Sequence, residues 1–258
     1  MKPLAELDPR GVRALLFDID DTFTTSGKLT APAYAALERL HGSGKRAIAV
    51  TGRPAGWCDH IARLWPIDAV VGENGAFYFR YAEGRLRRHY HDAPEEPAAY
   101  RERLAKIGAG IVAAVPGCAI AADQAYRETD LAIDYCEDVA PLPLETAERV
   151  AQLMRSAGLH AKVSSIHVNG WFGDYDKLAM TRVLFRQEFA TDLDRERASV
   201  AYIGDSPNDA PMFEFFPNAV GVANLRRFDG FLSAAPKYIT RASSGAGFAE
   251  LVEHLLAA

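Results

Sequence analysis

The sequence predicts an α/β fold: a doubly wound, mostly parallel core sheet interrupted by a smaller inserted α/β domain. Three observations carry this reading. Short apolar runs alternate with amphipathic segments along the chain. The texture changes after Tyr90 into a unit with its own helices and strands, and the opening pattern resumes near Asp174. With 258 residues, 49% hydrophobic and 24% charged, the chain can bury one large core or two small ones. The predicted division is 1–81 with 173–258 for the core and 82–172 for the insertion.

Val12–Asp18 is a continuous apolar run ending in acid, as a strand buried on both faces reads. Thr30 and Pro32 open a helix with its stripe at Ala33, Ala36, Leu37 and Leu40, and Gly42 and Gly44 end it. Arg46–Val50 is a second strand. Pro54 starts a helix whose apolar face is expected at Trp57, Ile61, Leu64 and Trp65. Asp68–Gly72 is a third strand, and Glu73-Asn74-Gly75 is a turn. Ala76–Arg80 and Arg85–Tyr90 form a hairpin around Glu83-Gly84. His91–Pro97 is polar with two prolines. The insertion then reads as a helix (Pro97–Ala114), two strands (Cys118–Ala122, Leu131–Cys136), a helix striped by Ala147, Val150, Ala151 and Met154, and one extended stretch (Ala161–Phe172). After it come a helix (Lys177–Ala190), a strand (Ser199–Gly204), a short helix (Asp209–Phe216), strands at Ala219–Val222 and Lys237–Thr240, and a last helix (Gly247–Leu256).

A net charge of −5 argues against a protein that coats nucleic acid or anionic membrane. No apolar run approaches the ~20 residues of a membrane span, and Met1–Pro9 lacks the apolar region of a secretory leader. Cys58, Cys118 and Cys136 are odd in number and far apart, which fits a reducing cytoplasm rather than a disulfide framework.

Two strands end in acid clusters: Asp18-Ile19-Asp20-Asp21-Thr22 and Gly204-Asp205-Ser206-Pro207-Asn208-Asp209. Ligands of open α/β sheets bind beyond the carboxyl ends of strands. Neighbouring carboxylates repel and call for a cation, and an all-oxygen set suits a hard ion such as Mg²⁺. One such Asp reads as a helix cap; two clusters read as a site. Rival motifs fail. The calcium loop that Asp18-x-Asp20-x-Thr22 suggests has Phe23 in place of glycine and Leu29 in place of glutamate, and Gly42-Ser43-Gly44-Lys45 lacks the remainder of a phosphate loop.

Four motifs stand in order: Asp18-x-Asp20-x-Thr22, Thr51-Gly52-Arg53, Lys177 opening a helix, and Gly204-Asp205-x-x-Asn208-Asp209, with Glu73-Asn74-Gly75-Ala76 beside them. On these the chain resembles the haloacid dehalogenase superfamily, in its Cof-like sugar-phosphate phosphatase branch with an α/β cap. Asp21, where relatives often have glycine, gives an Asp-Asp-Thr form similar to trehalose- and sucrose-phosphate phosphatases. The resemblance implies a Rossmann-like core, a cap made by the insertion, and phosphomonoester hydrolysis on a small phosphorylated substrate. It implies Asp18 as nucleophile and Asp20 as general acid and base. Thr51, Gly52, Lys177 and Asn208 would bind phosphate; Asp18, Asp20 (through its carbonyl), Asp205 and Asp209 would hold or flank Mg²⁺.

Within the cap, Ser164, Ser165, His167 and Asn169 lie on or before the last strand, with Arg127, Asp134 and Tyr135 from another. His167 and Asn169 are expected to face the substrate; a solvated strand face is the alternative. Arg53 touches substrate or pairs with an acid. A phosphomannomutase-like phosphomutase and a non-catalytic metabolite-binding module are the competing functions; the four intact motifs weigh against the second.

Overall fold

The structure is a computed structural model that describes residues 1–91 and 97–257. Residues 92–96, within the polar segment after Tyr90, lie outside the described residues. The chain opens with β1 (Lys2–Pro3), β2 (Ala14–Phe17), α1 (Ala31–Gly42), β3 (Arg46–Val50), α2 (Ala55–Leu64), β4 (Ala69–Gly72), β5 (Phe77–Ala82) and β6 (Arg85–Tyr90). The inserted segment supplies α3 (Pro97–Ala114), β7 (Ala119–Ile120), β8 (Asp130–Asp134), α4 (Leu144–Ser156), β9 (His160–Val163) and β10 (His167–Trp171). The chain returns with α5 (Lys177–Phe189), α6 (Leu193–Glu196), β11 (Val200–Gly204), α7 (Ala210–Phe215), β12 (Asn218–Gly221), β13 (Tyr238–Ile239) and α8 (Ser244–Leu256).

Among the described residues the large sheet runs β1-β13-β12-β11-β2-β3-β4-β5-β6. It is parallel from β1 to β4 and antiparallel at β5 and β6. Alternation along β2 shows how it is buried. Leu15 and Phe17 join the layer under α1 and α8 with Leu37, Leu40, Phe248 and Leu251. Ala14 and Leu16 join the opposite layer with Leu184 and Phe185 of α5 and Phe213 of α7. Each large apolar side chain buried this way contributes about 1.5–3 kcal/mol. The inserted segment has its own antiparallel sheet, β7-β8-β10-β9. Helices α3 and α4 cover it through Leu104, Ile111, Val150 and Met154, against Leu131, Ile133 and Val168.

Three expectations are revised. The insertion was expected to begin at residue 82, but β6 pairs with β5 over Phe77↔Tyr90 to Ala82↔Arg85 and forms the edge of the large sheet. Residues 85–90 therefore belong to the core, because a hairpin partner extends the sheet that its first strand has joined. The stretch 161–172 is two strands, broken by a turn in which Ser164 N donates to His167 O at 2.8 Å. On α2 the buried positions are Ala55, Cys58, Ile61 and Ala62, while Trp57 and Leu64 are 42% and 63% exposed. Trp57 is instead the platform beneath the Arg53 guanidinium, 4.3 Å from its ring centre.

Candidate active site

The register places the acid clusters side by side. Phe17 of β2 pairs with Ile203 of β11, and Asp18 N donates to Ile203 O at 3.0 Å, so Asp18 and Asp205 leave adjacent parallel strands at the same end. On the other side of β2, β3 ends at Val50 and delivers Thr51. Carboxylate oxygens of Asp18, Asp205 and Asp209 lie within 4.8 Å of one another, and all three residues are buried. Burial, with Asp209 and Asp20 nearby, pushes Asp18 up to about 8 against the opposing pull of Lys177. Burial, with Asp18 and Asp209 nearby, raises Asp205 well above its ordinary range against the pull of Arg227. The donor set is hard oxygen in an electron-rich pocket, which fits a divalent cation such as Mg²⁺.

Lys177 is buried at the start of α5, with Nζ 2.7 Å from both Asp18 Oδ1 and Asp209 Oδ1. Asp176 caps the helix by accepting from Ala179 N, and Gly75 packs against the Asp176–Lys177 backbone. Asp209 Oδ1 also accepts from Tyr202 OH at 2.5 Å, and Oδ2 accepts the amides of Asp205 and Ser206 at 3.0 and 3.2 Å. With both oxygens so engaged, Asp209 stands behind the cluster and orients Lys177 and the Asp205 loop. Asp205 Oδ2 is held by Arg227 at 3.1 Å and Asn224 at 3.4 Å, which leaves Oδ1 toward Thr22 and the cluster. Asp21, at φ +54, accepts from the same Arg227 Nη2 at 3.0 Å.

Thr51 Oγ1 accepts the Arg53 amide at 3.0 Å, so its own proton is free to point into the cleft. At Gly52 a Cβ would stand 3.1 Å from Asn74 Nδ2 and 3.5 Å from Asn169 Oδ1, so a glycine keeps this backbone open on both sides. Asn208 lies beside it, donating to Asn74 Oδ1 at 3.3 Å and accepting from Ser206 at 2.8 Å. Asn74 Nδ2, 3.1 Å from where a Gly52 Cβ would stand, is buried with no hydrogen-bond partner among the described residues.

The inserted segment closes over this end of the sheet. A cavity of about 10 Å³ remains, lined by Asp18, Asp20, Arg53, Arg127, His167 and Asn169 among others. Arg127 spans the seam: its Nη1 donates to Gly52 O at 2.9 Å, and it pairs with Asp123 and Asp130. Glu73, fully buried, accepts Ala55 N from the core and the amides of Glu128 and Thr129 from the insertion. Burial, reinforced by Asp130, raises its carboxyl to about 7. Arg53 pairs in two-pronged fashion with Asp20, at 2.8 and 2.7 Å. His167 Nε2 lies 2.9 Å from Glu137 Oε2 but makes no hydrogen bond among the described residues, whereas Asn169 Nδ2 donates to Asp130 at 2.9 Å; both side chains line the cleft.

Sequence reasoning thus named the residues that the topology brings together at the sheet's end. It missed Tyr202, Asn224, Arg227, Asn74 as a donor, and the seam residues Asp123, Asp130 and Glu137. Only Asn74 stood inside a quoted motif; the others have no local signal.

No family model matches the chain. A phosphoglycolate phosphatase of Haloarcula marismortui is 27% identical over 241 residues, 92% of this chain and 95% of that one. Among solved structures, the C-terminal domain of trehalose-6-phosphate phosphatase from C. albicans superposes with a TM-score of 0.69 at 14% identity, over 99% of this chain and 98% of that one. A haloacid dehalogenase-like hydrolase from Bacteroides thetaiotaomicron gives 0.64 at 16% identity, over 95% and 100%.

Proposed function

We infer that this chain, a member of the haloacid dehalogenase superfamily, is a Mg²⁺-dependent phosphomonoester hydrolase that acts through an aspartyl-phosphate on Asp18. The observation that carries the reading is the buried group of Asp18, Asp205 and Asp209 with Lys177 on two of them, set at the carboxyl ends of adjacent strands. Asp18 Oδ attacks phosphorus as the ester P–O bond breaks, and Asp20 gives its proton to the leaving oxygen. Asp20 then takes a proton from the water that cleaves the aspartyl-phosphate. Lys177, Thr51, the Gly52 amide and Asn208 balance the phosphoryl oxygens, and Asn74 Nδ2 adds a donor that sequence reasoning did not include. Asp18, Asp205 and the Asp20 carbonyl would hold Mg²⁺, with Asp209 behind them; the ion would cancel the repulsion between nucleophile and substrate.

The inserted segment is the cap that excludes water and reads the leaving group. The cleft-facing cations, Arg53 of the core and Arg127 of the cap, are already paired with carboxylates, which favours a neutral, hydroxyl-rich leaving group such as a sugar. A second reading, a small phosphorylated acid, is favoured by the name of the curated relative.

The test is inorganic phosphate release from sugar phosphates, phosphoglycolate and nucleotides, with Mg²⁺ or with chelator, and with Asp18→Asn as control. Metal-dependent release that the variant abolishes is expected, and the ranking decides between the two leaving groups. A sugar phosphate isomerised without release would point to the mutase. No turnover of any substrate would point to a binding module.

A further inference from the structure

The phosphatase reading uses Asp20 and leaves unexplained why a cap carboxylate, Glu137, reaches into the core beside it. Arg53 is 3% exposed, and each of its donor nitrogens is engaged. Its Nε–Nη2 edge forks onto Asp20, and its Nη1–Nη2 edge forks onto Glu137 at 3.3 and 2.5 Å. Asp123, also from the cap, takes Nη1 at 3.3 Å, and the Trp57 ring supports the flat face. The guanidinium is therefore fixed in plane and in rotation by groups from both domains.

Glu137 is itself built into place. Asp134, at the end of β8, accepts the amides of Cys136, Glu137 and Asp138 at 2.8–2.9 Å, which folds the loop that carries the side chain. His167, the β10 partner of Asp134, sets Nε2 2.9 Å from Glu137 Oε2. Burial works to raise the Glu137 carboxyl, but His167 and Arg53 together outweigh it and hold it down at about 2.

Building on the phosphatase reading, we propose that Glu137 is a positioning residue: as the cap closes, it grips the far edge of Arg53, fixes the near edge against Asp20, and so aligns that acid with the leaving-group oxygen. The step served is the first one. Asp20 enters this step protonated, with one prong of the Arg53 fork released and the other still fixing its orientation; the Asp18 O–P bond forms, the ester P–O bond breaks, and the Asp20 proton ends on the released alcohol. The cap thereby couples its own closure to the acid, so protonation is efficient only with water excluded.

The test is the leaving-group dependence of Glu137→Gln, which keeps the side chain's size and removes its charge. An alkyl ester such as a hexose phosphate needs the acid; 4-nitrophenyl phosphate, with its stable leaving anion, hardly does. The expected result is a kcat at least tenfold lower on the hexose phosphate and less than threefold lower on the aryl ester, with KM moved little for either. Equal losses on both esters, or none, would overturn the proposal. Wild-type protein inert toward both would count against the phosphatase reading instead. A second readout needs no turnover: with 5-fluorotryptophan incorporated and Trp57 assigned through Trp57→Phe, Glu137→Gln is expected to shift the Trp57 fluorine resonance as Arg53 loosens. An unmoved resonance would show that Glu137 does not hold Arg53.

Discussion

Replacing Lys177 by Met removes a cation seated 2.7 Å from Asp18 and from Asp209 while keeping most of the apolar stem. The site is 1% exposed, so water cannot take over the lost bonds. Removing one partner of a buried ion pair costs about 3–5 kcal/mol, because the carboxylates are left buried and uncompensated. In a chain of this size each kcal/mol lowers Tm by about 2–4 °C, so the drop in chelator should be about 6–20 °C. A divalent cation in the same cluster restores positive charge. At a concentration of about 100 times its Kd it would return about 2.7 kcal/mol, so Tm should respond to Mg²⁺. Phosphate release should fall by at least about 10²-fold even when Mg²⁺ refolds the variant, since a donor to the transition state is gone. Thermal unfolding in chelator and in a Mg²⁺ series, run beside the release assay, measures both. A Tm in chelator within about 2 °C of wild type would refute the electrostatic account of the cluster, since 3–5 kcal/mol predicts more.

Gly75→Ala should act at the same lysine from a distance. Gly75 has φ +108, and a Cβ there would fall 2.0 Å from Asp176 O, so the start of α5 must shift; kcat should fall at least about tenfold by displacing one electrostatic donor, and full activity would show that Lys177 tolerates the shift. The Glu137 contact should weaken in acid. Its carboxyl is held at about 2 instead of the ordinary 4.5. A depressed folded-state value gives stability that is present above 4.5 and is lost as the pH falls toward 2. The protection factors of the 135–138 loop amides, with the pH dependence of intrinsic exchange divided out, should therefore fall through that window in wild type and much less in Glu137→Gln; parallel curves would refute the assignment.

How much of this was legible in the sequence depends on how each residue is placed. Asp18, Thr51 and Asp205 terminate apolar strands, so composition and the strand-end rule suffice to bring them together. Lys177 had only its unfavourable position at a helix start to mark it. Arg53 reaches Asp20 across 33 residues and Glu137 across 84, and Arg227 reaches Asp21 across 206. Such pairs follow from tertiary closure and leave no periodic trace. Trp57 was misassigned for a related reason: helical spacing counts it as apolar, but its ring serves a cation at the seam. The β5–β6 hairpin was legible from Glu83-Gly84 between two strand-like runs, but the domain boundary drawn at residue 82 cut through it; Arg87 and Arg88 of β6 pair with Glu188 and Asp59 of the core.

The closed cap also bears on what leaves with the phosphate. Arg53 faces Asp20, Asp123 and Glu137, and Arg127 faces Asp123, Asp130 and a backbone carbonyl. Carboxylates outnumber guanidiniums in this network, four to two on the pairs just named. An anionic leaving group such as glycolate would have to displace one of these carboxylates to gain a cation, and the displaced group would then be buried without its partner. That exchange costs more than a hydrogen bond from a substrate hydroxyl, which can donate to one of these carboxylates without unseating its arginine. On the sugar-phosphate proposal this charge balance predicts a hexose phosphate ahead of phosphoglycolate in the phosphate-release ranking, and the reverse order would refute it.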